Sequence, residues 1–241
     1  MYRKITFVLL AAILAAGPAI AREVPEGRPV RDAVVTPLGS VKTGQQVGNL
    51  NDPVYAVPGW FWGDESYSFL FHPDAQLDCQ QGFLLTDVHM VAEFDSSMAY
   101  PTTFEIVVGL DTAWWDGLGC WMPSLEGCRS EAFTVTIEQP GMYDLAFPVD
   151  CVCAYIRSVY WGETYRYRLT VDFIGLFDMN LVTDDQPTAC TALNDWGQGW
   201  YDLYDSFDQL GNVLIYGDVV CCDGPVTSED ATWGGVKGLY R

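Results

Sequence analysis

Tyr165-Arg166-Tyr167-Arg168-Leu169-Thr170-Val171-Asp172-Phe173 alternates without a break. Successive side chains of a strand point to opposite faces, so Tyr165, Tyr167, Leu169, Val171 and Phe173 share one side and Arg166, Arg168, Thr170 and Asp172 the other. The first set is expected to meet a core and the second to meet water, as antiparallel sheets allow and parallel sheets seldom do.

The same period recurs on either side of this stretch. Val88, Met90, Ala92 and Phe94 alternate with His89, Val91 and Glu93, which places His89 on an outward face. Phe104, Ile106, Val108 and Leu110 alternate with Glu105, Val107 and Gly109. Phe133, Val135 and Ile137 lead to Pro140-Gly141, a turn dipeptide, and Tyr143, Leu145 and Phe147 follow it, which reads as a β-hairpin. Runs over 65–71 and 213–220 are also rich in strand formers, while capped helical stripes and the spacing of βαβ units are missing. The fold class expected is all-β: roughly seven to ten strands in an antiparallel, jelly-roll-like β-sandwich.

The N-terminal residues carry a different message. Arg3 and Lys4 precede an apolar run from Ile5 to Ala16, then Gly17-Pro18 and the small residues Ala19 and Ala21. A basic start, an apolar segment too short to span a bilayer and a small-x-small site describe a signal peptide over 1–21, with Arg22 expected as the mature N-terminus. Residues 22–50, with Pro25, Pro29 and Pro37 and few large apolar side chains, read as a flexible leader or arm. Residues 51–241 are dense in aromatics and long enough for one sandwich domain.

Charge narrows the partners. The chain has 12 basic and 32 acidic residues, a net charge of −20, and loss of Arg3 and Lys4 would deepen it. Such a field repels phosphate backbones and anionic lipid, so neither nucleic acid nor direct membrane binding is expected. Eight cysteines, Cys79, Cys120, Cys128, Cys151, Cys153, Cys190, Cys221 and Cys222, form an even set suited to disulfides in an exported chain. Their CxC and CC spacings, with two histidines in the chain, do not suit zinc. Cys221 and Cys222 point to opposite faces of a strand and Cys151 and Cys153 run parallel, so neither pair is expected to bond. Cys120 and Cys128 bracket a segment with Pro123 and Gly127 and are expected to close a local loop, worth roughly 2.5 kcal/mol.

Trp114-Trp115, Trp196 and Trp200-Tyr201 include adjacent rings that cannot all face one core. Beside Asp111, Asp116, Asp195 and Asp202 they suggest an exposed carbohydrate-binding surface, on which rings cover sugar C–H faces and carboxylates accept hydroxyl hydrogen bonds. The ligand-binding set is therefore Trp114, Trp115, Trp196, Trp200, Tyr201, Asp195 and Asp202. Acids at Asp184-Asp185, Asn194-Asp195, Asp202, Asp205, Asp208 and Asp218 could host a calcium ion, although no calcium-loop motif is present. No other cofactor is indicated. Neither G-x-S-x-G nor H-E-x-x-H occurs, and His72 and His89 are the two histidines, so no catalytic residue is assigned.

Residues 194–203, Asn-Asp-Trp-Gly-Gln-Gly-Trp-Tyr-Asp-Leu, with 211–218, Gly-Asn-Val-Leu-Ile-Tyr-Gly-Asp, resemble the closing strands of jelly-roll accessory modules on secreted bacterial proteins. The resemblance covers about a tenth of the chain and implies a sandwich with a non-catalytic role. It carries over no site residue, and Cys221-Cys222 just beyond it depart from the pattern. The reading is a secreted binding or display module at the cell surface, with a polysaccharide or another surface protein as partner. The alternatives are an assembly subunit whose arm pairs with another copy's sheet edge, and a glycoside-active enzyme, for which paired carboxylates would be needed.

Overall fold

The structure, a computed structural model, describes residues 28–29, 45–61, 63–124, 127–157 and 163–222. The proposed signal peptide lies outside these residues. In chain order the elements begin with β1 (Arg28–Pro29), β2 (Gln45–Gly48), β3 (Tyr55–Val57), β4 (Ser66–Phe71), α1 (Pro73–Gln76) and β5 (Gly82–Phe94). Next come β6 (Thr102–Trp115), β7 (Trp121–Pro123), β8 (Cys128–Arg129), β9 (Phe133–Ile137), β10 (Gly141–Pro148) and β11 (Ala154–Tyr155). The last are β12 (Tyr167–Ile174), β13 (Asn180–Thr183), β14 (Ala192–Asp195), β15 (Trp200–Asp202), α2 (Leu203–Phe207) and β16 (Ile215–Cys221). Several strands have only two to four residues, too few to show a period, which is why they outnumber the runs visible in the sequence.

Every pairing among these strands is antiparallel, and they form two sheets. The first follows β1-β3-β13-β5-β16-β2, with β10 and β11 on the other edge of β5; the second follows β15-β14-β4-β12-β6-β7, with β8 and β9 also on β6. The inward faces are the ones that alternation marks. Val88, Met90 and Phe94 of β5, Phe104, Ile106 and Val108 of β6, and Leu169, Val171 and Phe173 of β12 are all buried between the sheets. Phe61, Phe104, Phe173 and Phe177 pack ring to ring at one end of this core.

Six expectations need correction. The stretch 133–147 is not a hairpin: β9 pairs with β6 (Phe104↔Val135) and β10 with β5 (Tyr143↔Ala92), so Pro140-Gly141 carries the chain from one sheet to the other. Alternation and a turn dipeptide are common to both arrangements, and the long β5 and β6 offer more edge than the two short strands offer each other. Gln45–Gly48, placed in the leader, is a strand that pairs with β16 and buries Val47. Tyr165 lies outside β12 and is exposed.

The outward side of β12 does not meet water. β12 is central, flanked by β4 and β6, and Arg168 and Thr170 are fully buried. Arg168 donates to the carbonyls of Trp121, Thr191 (3.0 Å) and Cys190 (2.6 Å), which belong to segments laid across this face. Burial pushes its guanidinium down to about 9, against the pull of Asp202 and Asp111, and it stays protonated at neutral pH. Thr170 donates to Asp111, which also pairs with Arg129 at 2.5 Å.

His89 is buried, not outward in solvent. Its Nδ1 lies 3.1 Å from Asp144 and its Nε2 3.1 Å from Asp218, while its ring stacks on Tyr216 with centroids 4.4 Å apart. Two carboxylates and a tyrosine face make burial of an imidazole tolerable, and nothing in local alternation signals them.

All eight cysteines are bonded, and neither Cys151–Cys153 nor Cys221–Cys222 forms. The local Cys120–Cys128 bridge is also absent; the bonds are Cys79–Cys221, Cys120–Cys190, Cys128–Cys151 and Cys153–Cys222. The reason is register. Trp121 lies opposite Trp115 and Cys128 opposite Leu110, so the segment runs back along β6 and separates Cys120 from Cys128 by roughly 20 Å, beyond any disulfide.

Burial also sets the acid-side stability. Desolvation raises the carboxyls of Asp172, Asp178 and Asp202 above their ordinary value of 3.8. A carboxyl raised in the folded state binds protons more readily folded than unfolded, so its burial cost is present above the raised value and relieved as pH falls through it. The net charge of −20 adds self-repulsion that acid also reduces. That relief comes as pH falls toward the ordinary carboxyl range, whereas between pH 7 and pH 5 His72, whose pKa burial lowers below 6.5, acts in the opposite sense because the unfolded chain takes up its proton first. His72→Gln is therefore expected to change the urea midpoint more favourably at pH 5 than at pH 7, and an equal change at both would refute this.

Candidate functional site

The sequence-predicted residues fall into two aromatic groups. The first grows out of β6. Pairing with β12 ends at Thr112↔Tyr167, and the last residues of β6 continue beyond it, pairing instead with β7 through Ala113↔Pro123, Trp114↔Met122 and Trp115↔Trp121. The result is a two-stranded ribbon. Its turn is built by Asp116, whose Oδ1 accepts the backbone N–H groups of Leu118 (2.7 Å), Gly119 (3.0 Å) and Cys120 (3.1 Å). Those hydrogen bonds, that from Leu118 foremost, hold the Asp116 carboxyl below its ordinary value. Gly117 and Gly119 take the positive φ angles, 79° and 138°, that the turn demands. The Cys120–Cys190 bond then ties the turn to the chain entering β14.

This scaffold holds large rings in solvent. Trp114 is 51% and Trp115 49% exposed. Trp115 and its cross-strand partner Trp121 meet with centroids 5.5 Å apart, and the Arg166 guanidinium carbon lies 4.2 Å from the Trp121 ring. Trp114 points to the opposite face and donates its indole N–H to the Pro123 carbonyl at 3.2 Å. Trp121 and Arg166 are absent from the set chosen by sequence. Adjacency marked Trp114-Trp115, whereas Trp121 is joined to them only by pairing.

The second group lies at the β14–β15 turn. Trp196 and Tyr201 stack at 4.6 Å and 14°, with Phe207 5.4 Å from Trp196. Asp195 organises this turn as Asp116 does the other, accepting the N–H groups of Gly197 (2.7 Å) and Gly199 (3.0 Å). Tyr201 is 38% exposed, but Trp200 is half-buried with its indole N–H enclosed and unbonded. Asp202 is a structural residue, buried and accepting from Cys190 (2.6 Å) and from Tyr204 at the start of α2 (3.2 Å).

The two groups do not form one patch. Asp195 aligns through Ser66 and Asp172 with Val107, so Trp115 lies eight residues farther along β6 and three strands across. That is roughly 30 Å, at opposite ends of the second sheet.

The acids weighed as calcium ligands serve mainly as acceptors of N–H groups. Asp184 is fully buried and accepts from Asn49 (2.9 Å), Asn51 (2.8 Å) and the backbone of Gln186 (2.9 Å) and Asn212 (2.7 Å). Asp218 faces His89 and Gln46. A carboxylate ringed by donors is the inverse of a cation shell, while Asp185, Asp205 and Asp208 are exposed. His72 precedes α1 and burial lowers its pKa.

Neither a protein-family model nor a curated protein matches the chain. Among solved structures, it is similar to the cysteine protease and lectin-like domains of Cwp84, a surface layer associated protein of Clostridium difficile, at 9% identity and a TM-score of 0.44. That alignment covers 66% of this chain and 32% of the other, so the chain spans about a third of that protein's length.

Proposed function

We propose that this chain is an exported, non-catalytic surface module that binds carbohydrate through the β6–β7 ribbon. The observation that carries the reading is the half-exposed pair Trp114 and Trp115 on a ribbon stiffened by Asp116 and by Cys120–Cys190. Rings already locked in place lose little freedom when a sugar stacks on them, so each contact contributes nearly in full. Trp115 with Trp121 offers a face long enough for adjacent residues of a polysaccharide, and Arg166 beside it supplies N–H donors for hydroxyls. The Trp196–Tyr201 pair is a separate, smaller platform at the other end of the same sheet. Export is supported by the N-terminal segment and by four disulfides, which persist in oxidising compartments.

Trp115→Ala is expected to cut polysaccharide retention in affinity electrophoresis by roughly fivefold to tenfold, about 1 to 1.4 kcal/mol, with little change in melting temperature. Trp60→Ala, a fully buried control, should instead lose about 3 to 5 kcal/mol of stability. If no polysaccharide retards the wild type, or Trp115→Ala is retained as well as the wild type, the reading is wrong.

A further inference from the structure

The first sheet carries a cavity of about 260 Å³ on its outward face, between the chain leaving β2 and the strands β10 and β16. Its walls are apolar: Leu50, Pro53, Val91, Met142 and Leu214. Its polar lining is unusual in being already sorted. The side-chain donors that reach it are directed at the protein's own carboxylates: Gln46 at Asp218 (2.9 Å), Asn49 and Asn51 at Asp184 (2.9 and 2.8 Å), and the Tyr216 hydroxyl at Asp144.

What remains for an occupant is mostly acceptor oxygen, with one amide N–H each left on Gln46 and Asn51. Asp144 is buried on β10, where one oxygen faces His89 and the other receives Tyr216, and a carboxylate oxygen has room for a further donor. Asp52 stands exposed at the rim, and among the described residues its carboxylate takes part in no hydrogen bond or ion pair. Among the described residues no lysine, arginine or histidine lines the cavity. His89 lies behind its floor between Asp144 and Asp218, two carboxylates to one ring, and Asp52 adds a third carboxylate.

Carboxylate oxygen outweighs the donors left over, which favours a cation over a neutral sugar, and a carboxylate ligand would be repelled. We propose that this cavity binds a primary ammonium carried on a compact apolar body, with the apolar part between Leu50, Met142 and Leu214 and the ammonium at Asp144 and Asp52. An ammonium offers three donors and no acceptor, the complement of this lining. A body of six to eight carbons suits a cavity of about this size. The site is on the opposite sheet from the aromatic ribbon and does not depend on the ribbon's reading.

The test is a titration of ¹⁵N-labelled mature protein at pH 7 with benzylamine and with benzyl alcohol, which share a body and differ in charge. Benzylamine is expected to bind roughly tenfold tighter, with saturable shifts of the amides at 50–53, 142–144 and 214–216. Asp52→Asn should weaken it by roughly fivefold at unchanged melting temperature, because Asp52 is exposed and its carboxylate bonds none of the described residues. Leu50→Arg should abolish binding by placing a cation in the cavity mouth, and Trp115→Ala should leave it unchanged. Equal affinity for the alcohol, shifts confined to other residues, no saturable shift at all, or full affinity in Asp52→Asn would each overturn the assignment.

Discussion

Replacing Arg168 with methionine is expected to cost about 3 to 5 kcal/mol of stability, the largest loss for any single side chain on the outward face of the second sheet. The guanidinium fills a buried position and bonds the carbonyls of Trp121, Cys190 and Thr191. Methionine matches much of the volume and none of the hydrogen bonds, so three carbonyls lose their donor and the buried Asp111 loses a nearby positive charge. Lysine does not rescue the position, since a single ammonium on a flexible stem cannot reach three carbonyls held apart by a planar fork. For a domain of this length the loss reads as a fall in melting temperature of roughly 6 to 20 °C. Because Trp121 belongs to the aromatic ribbon and Cys190 is bonded to its turn, Arg168→Met should weaken polysaccharide retention too. A loss under about 1 kcal/mol would show that the overlying segments find other donors.

The double variant Cys79→Ser, Cys221→Ser is expected to lose about 4 kcal/mol. The sequence separation of 142 residues would by itself imply about 5 kcal/mol of lost loop-closure entropy. The other bonds shorten the ring, however: from Cys79 to Cys128, across to Cys151, on to Cys153 and across to Cys222 is roughly 50 residues of chain. The adjacent Cys222 still holds the end of β16 through Cys153, so the fold should persist with an unchanged circular dichroism spectrum and a lower urea midpoint. Peptide mapping would confirm that Cys153–Cys222 survives. A midpoint equal to that of the wild type would show that the second bond alone confines the unfolded chain.

Much of the fold was legible. The inward positions of β5, β6 and β12 follow from period two, since a residue's side of the pleat depends only on its place along its own strand. Partner choice is different. β9 and β10 look like a hairpin by every local sign and go to different sheets, because the pairing that wins is set by joint burial across distant segments. The aromatic site was half legible: Trp114 and Trp115 are exposed as their adjacency requires, whereas Trp121 and Arg166 join them through register.

By itself, the sequence determined an antiparallel β protein with an acidic surface, eight cysteines suited to disulfides, and the exclusion of Cys151–Cys153 and Cys221–Cys222. These rest on composition, on the alternation of the pleat and on the reach of a bond between neighbours, all of which are local. Only the tertiary structure decided that Cys120 meets Cys190 and Cys128 meets Cys151, that Arg168 and His89 are buried among partners from other strands, and that the two aromatic groups stand roughly 30 Å apart. Each of these depends on which strands lie side by side, a choice made by the free energy of the whole packed sandwich and carried by no single segment.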